Sequence, residues 1–203
     1  EEVATIDAFY RDPRKVLDFY NERRADFRSA NIQPNTAHRA LARLEKEWPG
    51  EVVVVTQNID LLHEGGGSKN VLHMHGQAGK IRCMHCDALI DSDMELFPGS
   101  ECENCGGKGG LRPHVVWFGE MPLHMEEIMA ALNRTGLFVS IGTSGTVYPA
   151  AGFVQHVRMG GVAHTVELNM EPSDGHSLFA ERIYGPASQI VPAFVDRILK
   201  EGW

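Results

Sequence analysis

Leu137-Phe138-Val139-Ser140-Ile141-Gly142-Thr143-Ser144-Gly145 decides the fold. Five mostly apolar residues read as a strand buried on both faces, and the Gly-Thr-Ser behind them closes it with a small polar loop. Val52 to Val55, followed by Thr56-Gln57-Asn58-Ile59-Asp60, repeats the pattern. So does Thr165 to Leu168, followed by Asn169-Met170-Glu171-Pro172. Helical spacing separates these strands at about 123–134 and 150–159, and Ile190, Phe194 and Ile198 open a last amphipathic face. Upstream, Asp12-Pro13 reads as a cap with proline at the first helical position. Val16, Leu17, Tyr20, Arg24 and Phe27 follow near helical period, and Asn35 or Thr36 caps a second helix bearing Leu41, Leu44 and Trp48. Strands alternating with helices predict an α/β fold, a Rossmann-like parallel sheet covered on both faces.

One segment breaks the alternation. Cys83, Cys86, Cys102 and Cys105 are the only cysteines, in a C-x2-C-x15-C-x2-C pattern among Pro98, Gly99, Gly106, Gly107, Gly109 and Gly110. Two such turns aim four thiolates at one point, which suits a structural zinc ion. Two disulfides are the competing arrangement; the lack of a visible secretion signal weighs against it. The sequence therefore predicts a small inserted zinc-binding module over 80–110, with 1–79 and 111–203 forming the larger domain.

Composition narrows the function. The chain has 203 residues, 43% of them hydrophobic, with a formal net charge of −8, so it can bury a core and is a poor partner for nucleic acid or anionic membrane. Between Cys83 and Cys105 stand six acids and no Lys or Arg, which disfavours a nucleic-acid-binding zinc ribbon. No apolar run reaches the length of a membrane span. The start, Glu1-Glu2-Val3, lacks Met, which leads us to expect further residues upstream. The cell interior and a monomer are the expected setting.

Ligands of open parallel sheets lie beyond the carboxyl ends of the strands. Any one of the three polar loops reads as turn residues; together they favour a bound polar ligand. Neither a complete G-x-G-x-x-G nor a P-loop lysine is present. His73-Met74-His75-Gly76 precedes the cysteine module. On spacing alone, His75 as a general base and His75 as a hydrogen-bonded structural residue stand equally open. His38, His156 and His176 read as ordinary surface or core residues.

The loops taken together resemble the sirtuins, the NAD-dependent protein lysine deacylases. The carrying residues are Thr56 to Asp60, His75-Gly76, the four cysteines, Pro113 to Glu120, Gly142-Thr143-Ser144 and Asn169-Met170-Glu171. Tyr20-Asn21-Glu22-Arg23 resembles the Tyr-x-x-Arg of the bacterial class that accepts acidic acyl groups. The glycine-rich Gly-Ala-Gly-x-Ser opening of the family is not in this chain. The resemblance implies NAD and an acyl-lysine peptide meeting between a Rossmann-like domain and a zinc module, and nicotinamide and 2′-O-acyl-ADP-ribose as products. It implies His75 as the base, and Gln57, Asn58, Ile59 and Asp60 at the nicotinamide ribose. Gly142, Thr143, Ser144, Asn169, Met170, Glu171 and Ala187 would lie along the adenosine half. Val116, Phe118, Gly119 and Glu120 would line the peptide channel, with Tyr20 and Arg23 at the acyl group. Two alternatives stay open: an inactive α/β zinc-ribbon binding protein, and a protein ADP-ribosyltransferase.

Overall fold

The computed structural model describes residues 2–29 and 31–203; Glu1 and Ala30, which the sequence reading placed in the larger domain, lie outside the described residues. In chain order the elements are α1 (Ile6–Arg11), α2 (Pro13–Arg28), α3 (Thr36–Glu47), β1 (Val54–Thr56), α4 (Leu62–Gly66), β2 (Val71–His73), β3 (Gly76–Cys83), β4 (Leu89–Asp91) and β5 (Leu111–Val115). Then follow α5 (Met125–Arg134), β6 (Leu137–Ile141), α6 (Phe153–Met159), β7 (His164–Asn169), β8 (Glu181–Tyr184) and α7 (Ala187–Glu201). The chain divides into two compact units, one of Glu1–Gln33, Val55–Leu61 and Leu72–His124, the other of Pro34–Val54, Leu62–Val71 and Met125–Trp203. Among the described residues no helix is long and apolar enough to cross a membrane.

The first unit is organised by an antiparallel sheet of order β4-β3-β5. No strand is expected here from the sequence, because Gly76-Gln77-Ala78-Gly79 carries no β-branched run. The order comes from long-range pairing, with Ile81 against Pro113 and Cys83 against Leu111. Ile81, Cys83 and Leu111 face a core shared with Val16, Leu17 and Tyr20 of α2 and with Trp117. Asp12 caps α2 by accepting the Lys15 N–H at 3.1 Å, with Pro13 at the first position. The outer stripe of α2 is polar and fixes the irregular segment after β4. The Asn21 amide gives and takes a hydrogen bond with the Leu96 backbone at 2.9 and 3.0 Å. Arg24, only 3% exposed, donates to the carbonyls of Met94 (2.8 Å) and Ser92. A chain segment without a ladder of its own thus has its backbone groups satisfied by one helix.

The second unit holds the parallel sheet, order β6-β7-β8, with Val139 against Val166 and Leu168 against Ile183. Val166 and Leu168 are fully buried against Val191, Val195 and Phe194 of α7 and Ala37 and Ala40 of α3. Asn35 caps α3, accepting from Ala37 N and His38 N, while the His38 ring accepts from the Asn35 N–H. Pro192 lies inside α7 and cannot donate to the Ser188 carbonyl one turn back; the Thr36 hydroxyl donates to that carbonyl instead, at 2.5 Å. The strand expected over Val52 to Val55 is ordered as a strand only from Val54, and its valines are half-buried. Its one pairing among the described residues is with β2, so it is covered less than the sequence predicted.

Candidate active site

In the first unit, His73 and His75 both hang from the loop after β1. His73 Nδ1 lies 3.2 Å from the Asn58 carbonyl oxygen and His75 Nδ1 lies 3.1 Å from that of Gln57. A carbonyl only accepts, so Nδ1 of His75 carries the proton and Nε2 keeps its lone pair. Burial pulls the His75 pKa below the usual histidine value, partly offset by the bond to Gln57. The ring is therefore neutral at pH 7. His73 is 5% exposed and belongs to the interior, whereas His75 is half-buried and reachable. Residues two apart on a strand would share a face; these two differ because β2 ends at His73 and His75 lies in the turn before β3.

Gly76 shows why a glycine follows the histidine. Its φ is +82°, and a Cβ there would stand 2.1 Å from the His114 carbonyl oxygen. That close approach joins β3 to β5 and carries the chain into residues 116–120. Val116 N–H donates to the His75 carbonyl at 2.9 Å, so the expected peptide-channel strand is bonded directly to the histidine's own backbone. The loop is also tied inward: Asn58 N–H donates to Thr56 Oγ1 (3.1 Å) and Ala78 N–H to the Ile59 carbonyl (2.8 Å). Gln57, Asn58, Ile59, Asp60, His75, Val116, Phe118, Gly119 and Glu120 thus fall within one unit.

The residues expected at the channel do not all present themselves alike. Phe118 is 59% exposed, and Gly119 has φ +89° with open space where a Cβ would be. Glu120 has both carboxylate oxygens occupied: Arg112 donates to them at 2.5 and 2.9 Å, and Trp117 N–H to one at 2.7 Å. Burial pushes the Glu120 carboxyl up, but these bonds outweigh it and leave the carboxyl below its usual value. Tyr20 is 4% exposed and its hydroxyl accepts from Trp117 Nε1 at 2.9 Å, which leaves the phenolic proton to donate. Arg23 is exposed, its guanidinium 5.4 Å from the Phe19 ring centre. Tyr20 and Arg23 share one side of α2, one buried and one at the surface.

The four cysteine sulfurs lie within 4.8 Å of one another. Cys83 to Cys105 is 3.8 Å and Cys86 to Cys102 is 3.9 Å between sulfurs. A disulfide needs about 2.05 Å. A tetrahedron of thiolates around zinc at about 2.3 Å has edges of roughly 3.8 Å. The donor set and its spacing fit zinc, and four thiolates complete the shell, so the ion would be structural.

The second unit carries the remaining expected residues at the carboxyl ends of adjacent parallel strands. Gly142 follows β6 with φ +61° and nothing within 4 Å of where its Cβ would stand, leaving the backbone open to close approach. Asn169 ends β7 and its amide donates to the Thr143 carbonyl at 2.7 Å, tying the two loops together. Ser144, Met170 and Glu171 are exposed, Thr143 is half-buried and Ala187 opens α7. Small, polar, backbone-rich loops at this end of a parallel sheet fit the ribose and phosphates of a dinucleotide. Sequence reasoning missed Glu167. It is 1% exposed and accepts from Ser173 N (3.2 Å), the Ser173 hydroxyl and Tyr184 Oη (3.0 Å), so it anchors the loop that carries Asn169 to Glu171. An acid inside a hydrophobic strand was the available signal.

Comparison with known proteins bears on the family and the fold. The family model described as "Sir2 family" matches residues 1–149. A protein of Vibrio cholerae named NAD-dependent protein deacylase is 55% identical over 199 residues, which is 98% of this chain and 80% of that protein. A solved Sir2 homologue–NAD complex is 33% identical with a TM-score of 0.89, covering 100% of this chain and 78% of that one. The structure of Sir2Af2 bound to a myristoylated histone peptide is 32% identical with a TM-score of 0.81, covering 98% and 85%. With these matches, and with a cysteine tetrad and a parallel sheet ending in polar loops, the chain belongs to the Sir2 family.

Proposed function

We propose that this protein removes acyl groups from lysine side chains of proteins, with NAD consumed in the reaction, and that it takes succinyl and malonyl as well as acetyl groups. The observation that carries the reading is the His75 ring, half-buried, neutral and held through Nδ1 by the Gln57 carbonyl at 3.1 Å. NAD, when bound, supplies an electrophilic ribose carbon that releases nicotinamide and a ribose hydroxyl that receives the acyl group. His75 takes the proton of that hydroxyl at Nε2. The Asn58 amide and Asp60 carboxylate, with Gln57 and Ile59 beside them, offer donors and acceptors to a carboxamide and a diol. Gly142, Thr143, Ser144, Asn169, Met170, Glu171 and Ala187 would hold the adenosine half.

The substrate backbone would lie along Val116, Phe118 and Gly119, where the bond from Val116 to His75 keeps the channel in register with the base. Glu120 supports the channel through the turn it holds at Trp117. Arg23 supplies the guanidinium for an acyl carboxylate, and Tyr20 keeps one hydroxyl proton to donate. The zinc ion would hold the module and take no part in proton transfer.

The test is incubation of acetyl-, succinyl- and malonyl-lysine peptides with the protein, with and without NAD, followed by mass spectrometry. Deacylated peptide and O-acyl-ADP-ribose, formed only with NAD, is the expected result. ADP-ribose added to protein side chains without deacylation would replace this reading with the transferase one, and no NAD-dependent product would overturn both.

A further inference from the structure

In the first unit, β3 and β5 place two arginines directly opposite each other, Arg82 against Arg112. Like charges in that position repel across an antiparallel pair. Only one of them is neutralised. Arg112, 3% exposed and 3.4 Å above the Trp117 ring, is taken by Glu120, whose two oxygens are then fully occupied. Arg82 forms no ion pair among the described residues; the Glu120 carboxylate feels its charge but is already held by Arg112. The neighbouring Cys83 packs in the core on the other side of the strand, so the Arg82 charge is not directed at the tetrad. Lys80 lies two residues back on the same side, with Asp91 across from it on β4.

The same face carries two further signs of an absent partner. His114, two residues along β5 and 9% exposed, is pushed down to about 4 by burial and by Arg82, Lys80, Arg112 and His124, and so stays neutral with one ring N–H to give. Arg82, Arg112 and His114 line a cavity of about 200 Å³ with Val116, Glu120 and Met121 at its wall.

We propose that this cavity binds an oxyanion, a carboxylate or a phosphate, held by the Arg82 guanidinium and the ring N–H of His114. Two sources share this chemistry. Val116 and Glu120 belong both to the cavity wall and to the proposed peptide channel, so an acidic or phosphorylated side chain beside the acyl-lysine is one. A free anion is the other.

The first arm needs no activity. Zinc-loaded protein is melted in phosphate and in chloride at matched ionic strength. Phosphate at roughly ten times its half-saturating level should raise Tm by about 4 °C. Arg82→Gln should lose that response, yet melt at or above the wild-type temperature, because it relieves the cross-strand repulsion. Arg82→Lys should keep part of the response. A phosphate effect equal in wild type and Arg82→Gln, or no effect in either, overturns the site.

The second arm finds the source, and rests on the deacylase reading. Acyl-lysine peptides with Glu or Gln beside the lysine are compared by kcat/KM. A preference for Glu of about tenfold, lost in Arg82→Gln, assigns the cavity to the substrate. Equal turnover of the two peptides with an intact phosphate response assigns it to a free anion. Turnover of no peptide would fail the deacylase reading and leave the melting result standing.

Discussion

His75 Nδ1 and the Gln57 carbonyl oxygen are 3.1 Å apart, and through that one bond the loop after β1 decides which nitrogen of the ring can act as a base. His75→Ala should abolish NAD-dependent turnover and change Tm by no more than about 2 °C, since the ring is only half-buried. Turnover within tenfold of wild type would refute the role.

The same ring sets a pH dependence. Burial holds its pKa below the usual 6.5, so the neutral base persists at pH 7 and is lost only as the pH falls through that lowered value. The acid limb of kcat/KM should therefore lie below pH 6.5. A limb above 6.5 would mean that another group titrates.

Cys83→Ser should lower zinc content from one ion per chain towards none and unfold the β3–β5 module first. Removing one thiolate from the shell leaves a pattern that no longer closes around the metal. Metal analysis and circular dichroism of the purified variant would measure both. Full zinc retention would count against the tetrad as the site.

Arg24→Met should destabilise the protein by about 1–3 kcal/mol, because the Met94 and Ser92 carbonyls lose their buried donor. Denaturant unfolding measures the loss. Unchanged stability would mean that water replaces the guanidinium at no cost and that the 92–96 segment is held by other means.

Arg23→Met should raise KM for succinyl-peptide by about ten- to a hundredfold, the equivalent of roughly 1.5–3 kcal/mol for a charge-assisted bond. Acetyl-peptide turnover should stay within about threefold, since its methyl group makes no ionic contact. Equal losses on both peptides would assign Arg23 to the fold.

What the sequence determined by itself was what local chemistry fixes. The β6 and β7 strands, the Asp12-Pro13 and Asn35 caps, the closing helix and the cysteine quartet follow from hydrophobic runs, cap residues and fixed ligand spacing, all of which act within a few residues. The site residues were legible as loops and through the sirtuin resemblance, but not their state. Two histidines separated by one methionine look alike in sequence; only the pairing of β3 with β5 and the fall of the 57–58 carbonyls buries His73 and leaves His75 within reach. Glu120 reads as a channel acid, yet Arg112, eight residues away, takes its charge. Arg24 reads as one more residue at helical period until the 92–96 segment closes over it, and nothing in the sequence marks Arg82 until the pairing of β3 with β5 brings Arg112 opposite. Partners distant in sequence are chosen by tertiary packing. Burial and net charge at a side chain depend on those partners, so only the folded structure could decide them.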